Sequence, residues 1–203
     1  MKPKEKDILT KISNFITSKK ELPNPEWTTI FSEIEDCNEE EKNQKRFNIF
    51  NENDFIKLRT LYVNEKATFH FVIHLESLYI FMMKKLSKET TLKKAKNEIY
   101  FCENYYHRCI TKFYGFMKED TKITGFIYEY MSNGTLDSFL PYHIKEINYT
   151  FTITILARIY EGLEYLYSKS LIHRDLKPAN ILIDHDFIPN ISDFDTILHP
   201  INE

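Results

Sequence analysis

An α+β fold is expected over most of this chain, on three observations. From Phe55 onward the text is strand-like, and the apolar alternation at Phe69, Phe71 and Ile73 has the two-residue period of a half-buried strand. A helix interrupts the strands, with Leu92, Ala95, Ile99, Cys102 and Tyr106 along one stripe and Glu98 beside it. After the turn at Asn133-Gly134, the spacing of Ile155, Ile159, Leu163 and Leu166 predicts a long helix.

Ahead of the strands, residues 5–19 place Ile8, Leu9, Ile12, Phe15 and Ile16 on one helical face. Asn24 then offers an N-cap and Pro25 a first helical position, leading into Trp27, Ile30, Phe31 and Ile34 at helical spacing. A helical hairpin follows from this, and packing on a neighbouring element is favoured over binding to membrane or calmodulin. Glu41 and Lys45 form an i,i+4 pair in a solvated helix end or linker. The expected boundaries are a helical extension over 1–50, a strand-rich lobe and hinge over 51–131, and a helical part over 132–203. Within the lobe, strands are expected at Phe69–Ile73, Leu78–Lys84 and Lys122–Met131, with Thr135 capping a short helix, LDSFL.

Composition narrows the function classes. In 203 residues, 27 basic and 30 acidic side chains leave a net charge of -3, which offers no footprint for nucleic acid or a membrane surface. The charged opening Met1-Lys2-Pro3-Lys4 lacks the apolar core of a signal peptide, and no run of about 18 apolar residues could span a bilayer, so a cytoplasmic location is expected. Cys37, Cys102 and Cys109 are odd in number and not in CxxC spacing, which indicates neither a disulfide framework nor a zinc site.

The densest chemistry lies between Leu171 and Thr196. His173, Arg174, Asp175, Leu176, Lys177, Pro178, Ala179 and Asn180 precede the apolar Ile181, Leu182 and Ile183, and Asp193-Phe194-Asp195 comes next. This resembles the protein kinase catalytic core, with HRDLKxxN intact and the glycine of DFG replaced by Asp195. FMMKKL resembles the family's VAIKKL, which puts Lys84 at the ATP-anchoring lysine, Glu98 at the C-helix glutamate that pairs with it, and Tyr128 at the gatekeeper. The resemblance implies a five-stranded antiparallel N-lobe with a C-helix, and ATP and Mg2+ as cofactors. In that scheme Asp175 accepts and orients the substrate hydroxyl, Lys177 stabilises the γ-phosphate, and Asn180 and Asp193 hold magnesium. Lys84, Glu98, the hinge residues Glu129 and Met131, and Leu182 are implied at the nucleotide. Lys177 and the YEYMSNGTLDSFL segment look more like serine/threonine kinases of the tyrosine-kinase-like group than like tyrosine kinases.

The departures are as specific as the matches. Where the family writes GxGxxGxV, this chain has Tyr62, Val63, Asn64, Glu65, Lys66, Ala67, Thr68 and Phe69, so all three phosphate-approaching glycines are absent. Phe69 stands for the family's valine and Met82 for its alanine, the pair that covers the base. ATP binding is therefore expected to be weak or lost. After Thr196 only ILHPINE follows, which leaves no activation segment or substrate platform in this sequence and an incomplete helical C-lobe. Apolar residues between Phe151 and Leu182 would then lack cover, at roughly 1.5 to 3 kcal/mol each, inviting self-association or a protein partner. The leading reading is a truncated, inactive kinase-like domain acting in interaction or regulation. An active serine/threonine kinase recorded as a fragment is the alternative, and a nonfunctional gene fragment stands against both.

Overall fold

Six strands build the main sheet of the protein: β1 (Asn48–Phe50), β2 (Phe55–Val63), β3 (Ala67–His74), β4 (Ile80–Leu86), β5 (Phe113–Glu119) and β6 (Lys122–Glu129). The computed structural model describes residues 47–88, 92–145 and 147–198. The helices expected over residues 5–34 and the Glu41–Lys45 pair lie outside the described residues.

The sheet order is β1-β5-β6-β4-β3-β2. β2 to β6 pair antiparallel, which is the five-stranded lobe expected from the sequence. β1 is added to it in parallel, Asn48 opposite Gly115. Three residues are too few to carry a periodic signal, and β1 draws residues 48–50, ahead of the expected boundary, into the sheet. β4 begins at Ile80 because Leu78 turns with φ +59, its amide donating to the His74 carbonyl at 2.9 Å.

Strand alternation decides what faces the cleft. On β4, Phe81 and Met83 join Phe55, Val72, Met117 and Ile127 in a cluster on one face of the sheet. Met82 and Lys84 therefore point to the opposite face. There β6 contributes Phe126 and Tyr128 to the larger core, which also takes Phe101 and Cys102 from α1 (Leu92–Asn104).

The second part of the chain begins with α2 (Leu136–His143) and α3 (Tyr149–Ser168). Thr135 stands at the α2 N-cap but makes no cap bond; its hydroxyl donates to the Ser138 and Asp137 side chains instead. Asn148 does cap α3, accepting from the Phe151 amide at 2.8 Å. The face of α3 carrying Ile155, Gly162 and Leu166 is buried. It packs against the hairpin of β7 (Ile181–Ile183) and β8 (Pro189–Ile191), and a Cβ at Gly162 would lie 2.7 Å from Ile191 Cδ1. Tyr149, Ile153, Leu156, Tyr160 and Tyr167 form an exposed stripe on its other side.

Gly115 is where β1 and β5 come too close for a side chain. It has φ +154, and a Cβ there would sit 2.1 Å from the Asn48 carbonyl oxygen. Gly115→Ala is expected to detach β1 and cost on the order of 2 to 4 kcal/mol, read as a lower urea midpoint.

Candidate active site

Lys84 reaches the site because its neighbours on β4, Phe81 and Met83, are committed to the opposite face of the sheet. Its Nζ lies 2.7 and 2.9 Å from the two Glu98 carboxylate oxygens and 2.9 Å from Asp193 Oδ1. Lys84 is 5% exposed and Glu98 2%, so both charges are out of water. Glu98 sits inside the buried stripe of α1 with Ala95, Phe101 and Cys102, not beside it as the pattern implied. A carboxylate is tolerable there only because it is fully bonded. Besides the ammonium it accepts the Tyr128 hydroxyl at 2.6 Å.

The titrations follow from these contacts. Burial pulls the Lys84 ammonium down, but Glu98 and then Asp193 hold it charged well above the ordinary lysine range. Burial pushes Glu98 up, against Lys84, and the bidentate bond is made with the ionised form. Burial also raises Asp193, yet Lys84 beside it prevails and keeps that carboxyl below its usual value.

The loop between α3 and β7 is shaped by its own side chains. A 3-10 turn over Pro178–Asn180 starts with proline, whose missing amide costs nothing at that position, and buries Asn180. The Asn180 amide donates to the Asp175 carbonyl at 2.7 Å and to its carboxylate at 3.1 Å. Since both bonds use the NH2 group, the side-chain oxygen is what Asn180 can offer a cation. Lys177 Nζ lies 2.7 Å from Asp175 Oδ2, and that bond holds the Asp175 carboxyl low and the Lys177 ammonium high. Arg174 and Asp193 take φ +66 and +63, which a non-glycine residue accepts only when its surroundings hold it. For Arg174 the holder is a bond from Nε to the Thr196 carbonyl at 2.7 Å. Phe194 anchors Asp193, its ring stacking on Phe101 at 3.8 Å and meeting His173 at 5.1 Å.

Apolar side chains line the Lys84 face of β3 and β4. The Phe69 ring centroid is 5.9 Å from Lys84 Nζ, so this ring points into the cleft. Met82 shares the Lys84 face and packs on the larger core. The Phe71 ring meets Tyr130 of the hinge at 4.4 Å in a tilted arrangement, an aromatic bridge between β3 and the connection to α2. Of the implied hinge contacts, Glu129 donates its amide to Lys112 and Met131 is buried, its carbonyl accepting from Gly134. Leu182 is buried on β7 and bridges to Thr135.

Two features escaped sequence reasoning. Tyr128 is recognisable as a gatekeeper, but its bond to Glu98 depends on the sheet bringing two distant residues together. Lys66 Nζ pairs with Asp195 Oδ2 at 3.0 Å, joining the β2–β3 turn to the end of the Asp193 loop. The other Asp195 oxygen, Oδ1, is buried with no hydrogen-bond partner.

The donor set fits a hard divalent cation: Asp193, the Asn180 oxygen and the orphaned Asp195 oxygen are all oxygen donors of the type magnesium prefers. Phe69 and Met82 lie on the same face of the sheet as Lys84. Among the described residues His107, Cys109 and Glu161 also bring ligand atoms within 4.8 Å of one another. Glu161 there is already paired with Arg108 and, at 3.5 Å, with Arg158, so two guanidinium groups oppose a cation.

The protein kinase domain model matches residues 65–198 of this chain. The chain belongs to the protein kinase domain family. A G-type lectin S-receptor-like serine/threonine-protein kinase of Arabidopsis thaliana is 38% identical over 122 residues, 56% of this chain and 14% of the relative. A cysteine-rich receptor-like protein kinase of the same plant is 38% identical over 120 residues, 55% of this chain and 19% of the relative. A rice G-type lectin S-receptor-like serine/threonine-protein kinase, from Oryza sativa subsp. japonica, is 34% identical over 125 residues, 60% of this chain and 15% of the relative. The matched stretch is thus less than a fifth of each of these relatives. The kinase match covers the whole cleft, from the Glu65–Ala67 turn to the residues after Asp195. No helix among the described residues is long and apolar enough to cross a membrane.

Lys84→Met strands Glu98 in the core and is expected to cost about 3 to 5 kcal/mol. Tyr128→Phe removes one bond to the same carboxylate and should cost about 1.5 to 3 kcal/mol. Urea denaturation of the two variants tests whether the buried pair carries this weight.

His173 supplies a pH test. Its Nε2 donates to the Ser192 carbonyl at 2.9 Å while Nδ1 accepts from the Asp175 amide at 3.3 Å, a pattern that needs the neutral ring. Burial accordingly holds its pKa below the ordinary value of 6.5. The unfolded chain takes up this proton first, so the contribution is full above about pH 6.5 and is lost as pH falls through the folded value. Between pH 7.5 and 5 the wild-type melting temperature should fall further than that of His173→Gln.

Proposed function

We propose that this chain is a serine/threonine-type, protein-kinase-like domain that binds Mg-ATP weakly and works through interaction or regulation, in the manner of a pseudokinase. The observation that carries this reading is the Phe69 ring turned toward Lys84, with Met82 on the same face. A purine would meet two side chains larger than the family's valine and alanine, and the β2–β3 turn has no glycine to bring its amides to the phosphates. The serine/threonine assignment is drawn from the relatives' names and from Lys177 in the catalytic loop.

A second reading has its own support. Lys84, Glu98 and Asp193 are bonded as one group, and Asp175, Lys177 and Asn180 as another. These are the residues that transfer of the ATP γ-phosphoryl to a hydroxyl requires. Asp193 and the Asn180 oxygen would hold magnesium, which supplies charge neutralisation at the phosphates. Asp175 would accept the hydroxyl proton, its carboxylate kept ionised by Lys177. On this reading the domain is an active kinase of low nucleotide affinity.

Calorimetric titration of residues 1–203 with Mg-ATP should give a dissociation constant weaker than low micromolar, that is, short of about -8 kcal/mol. Phe69→Val with Met82→Ala is expected to tighten binding by at least roughly tenfold, since it empties the slot. Low-micromolar binding by the unaltered chain would overturn the first reading. If phosphoryl transfer is measured, Asp175→Asn should abolish it with affinity largely kept, because this carboxylate acts on the hydroxyl.

A further inference from the structure

The charges around the cleft do not balance in the usual way. Glu98, Asp193 and Asp175 have their ammonium partners in Lys84 and Lys177. Asp195 adds a further carboxylate in a position where the family's motif has glycine. It is 5% exposed, Oδ2 meets Lys66 at 3.0 Å, and Oδ1 is buried without a hydrogen-bond partner. Its own backbone carbonyl accepts from the Asn97 amide of α1 at 3.4 Å, which fixes the residue beside the helix. A carboxylate with one oxygen bonded and the other dry has unused capacity for positive charge.

Lys66 is presented to this carboxylate by a built turn. The Asn64 side-chain oxygen accepts from the Lys66 and Ala67 amides, at 2.9 and 2.8 Å, and the Asn64 amide donates to the Ala67 carbonyl at 3.0 Å. The Lys66 side chain is 40% exposed, so its ammonium can leave toward water, whereas Asp195 cannot follow. The positive charge of Lys66 also acts on Asp175 and Asp193, favouring the ionised form of both. One partly exposed ammonium therefore bears on three carboxylates, Asp195 directly and Asp175 and Asp193 at longer range.

We propose that Lys66 is a tethered counter-ion, and that a free divalent cation enters the cleft by taking over Asp195 together with Asp193 and displacing the Lys66 ammonium. A divalent ion brings twice the charge and coordinates carboxylate oxygens directly, while an ammonium on a partly exposed lysine gives up side-chain freedom to stay at Asp195. Asp195 is then a metal-binding oxygen donor added to the site, and Lys66 sets how much metal is needed to fill it. The proposal rests on the reading of Asp193 and Asn180 as metal-holding residues but requires no nucleotide.

The test uses Mn2+ alone, with free ion counted by electron paramagnetic resonance, on residues 1–203. Lys66→Met should bind Mn2+ roughly tenfold more tightly than the unaltered chain, because a like charge within reach has been removed. Lys66→Gln should do the same, which guards against a packing effect of methionine. Asp195→Asn in the Lys66→Met background should cancel the gain. Thermal melts of each variant without metal identify any that fail to fold. Equal Mn2+ affinity in the unaltered chain and both Lys66 variants would overturn the counter-ion role while leaving the metal site standing. A gain that survives Asp195→Asn would overturn the role of Asp195. No saturable Mn2+ binding in any variant would overturn the proposal and the metal-holding reading together.

Discussion

A lysine ammonium taken out of water is stable only among anions, and Lys84 has Glu98 and Asp193 within 2.9 Å. These three residues come from β4, from α1 that follows it, and from the loop after β8, 109 residues beyond Lys84. Each of them is held by something apolar: α1 by Phe101 and Cys102 in the core, and the Asp193 loop by Phe194 stacked on Phe101. The ion cluster and the hydrophobic contacts thus require each other. Without the apolar packing the charges would be hydrated separately, and without the charges the packed faces would bury an unpaired carboxylate.

The cleft has two ends of opposite character. At the catalytic loop the side chains are polar, bonded to one another and pre-ionised by their neighbours, with Asp175 between Lys177 and Asn180. Toward the hinge the side chains are apolar and aromatic, with Phe69, Met82 and the tilted Phe71–Tyr130 pair. The two ends therefore differ in what they present, charged and hydrogen-bonded groups at one and apolar side chains at the other.

The loop beyond Asp195 is tied back into the catalytic loop, not left to itself. Ile172 and Leu198 exchange backbone hydrogen bonds at 2.9 Å, Thr196 Oγ1 donates to the His173 carbonyl at 3.0 Å, and Arg174 donates to Thr196. These bonds over-determine the left-handed backbone at Arg174 and Asp193. The stripe of α3 from Tyr149 to Tyr167 is exposed.

What the sequence determined by itself was the local chemistry. Strand alternation at Phe69, Phe71 and Ile73, the α1 and α3 stripes, and the runs around Asp175 and Asp193 are short-range patterns, and the elements carrying them formed, except that α1 ends at Asn104, short of Tyr106, and takes Glu98 into its buried face. The pairing of Lys84 with Glu98 was legible because the two residues hold a recognisable register. The tertiary structure decided the rest. The parallel β1, the Tyr128 bond to Glu98 and the Lys66–Asp195 pair each join residues with no periodic or motif relation. Which side of β3 and β4 faces the cleft was likewise open. A residue pattern of period two names two faces without saying which is inside. Only the packing of Phe81 and Met83 against Phe55, Val72 and Ile127 turned Phe69, Met82 and Lys84 into the site.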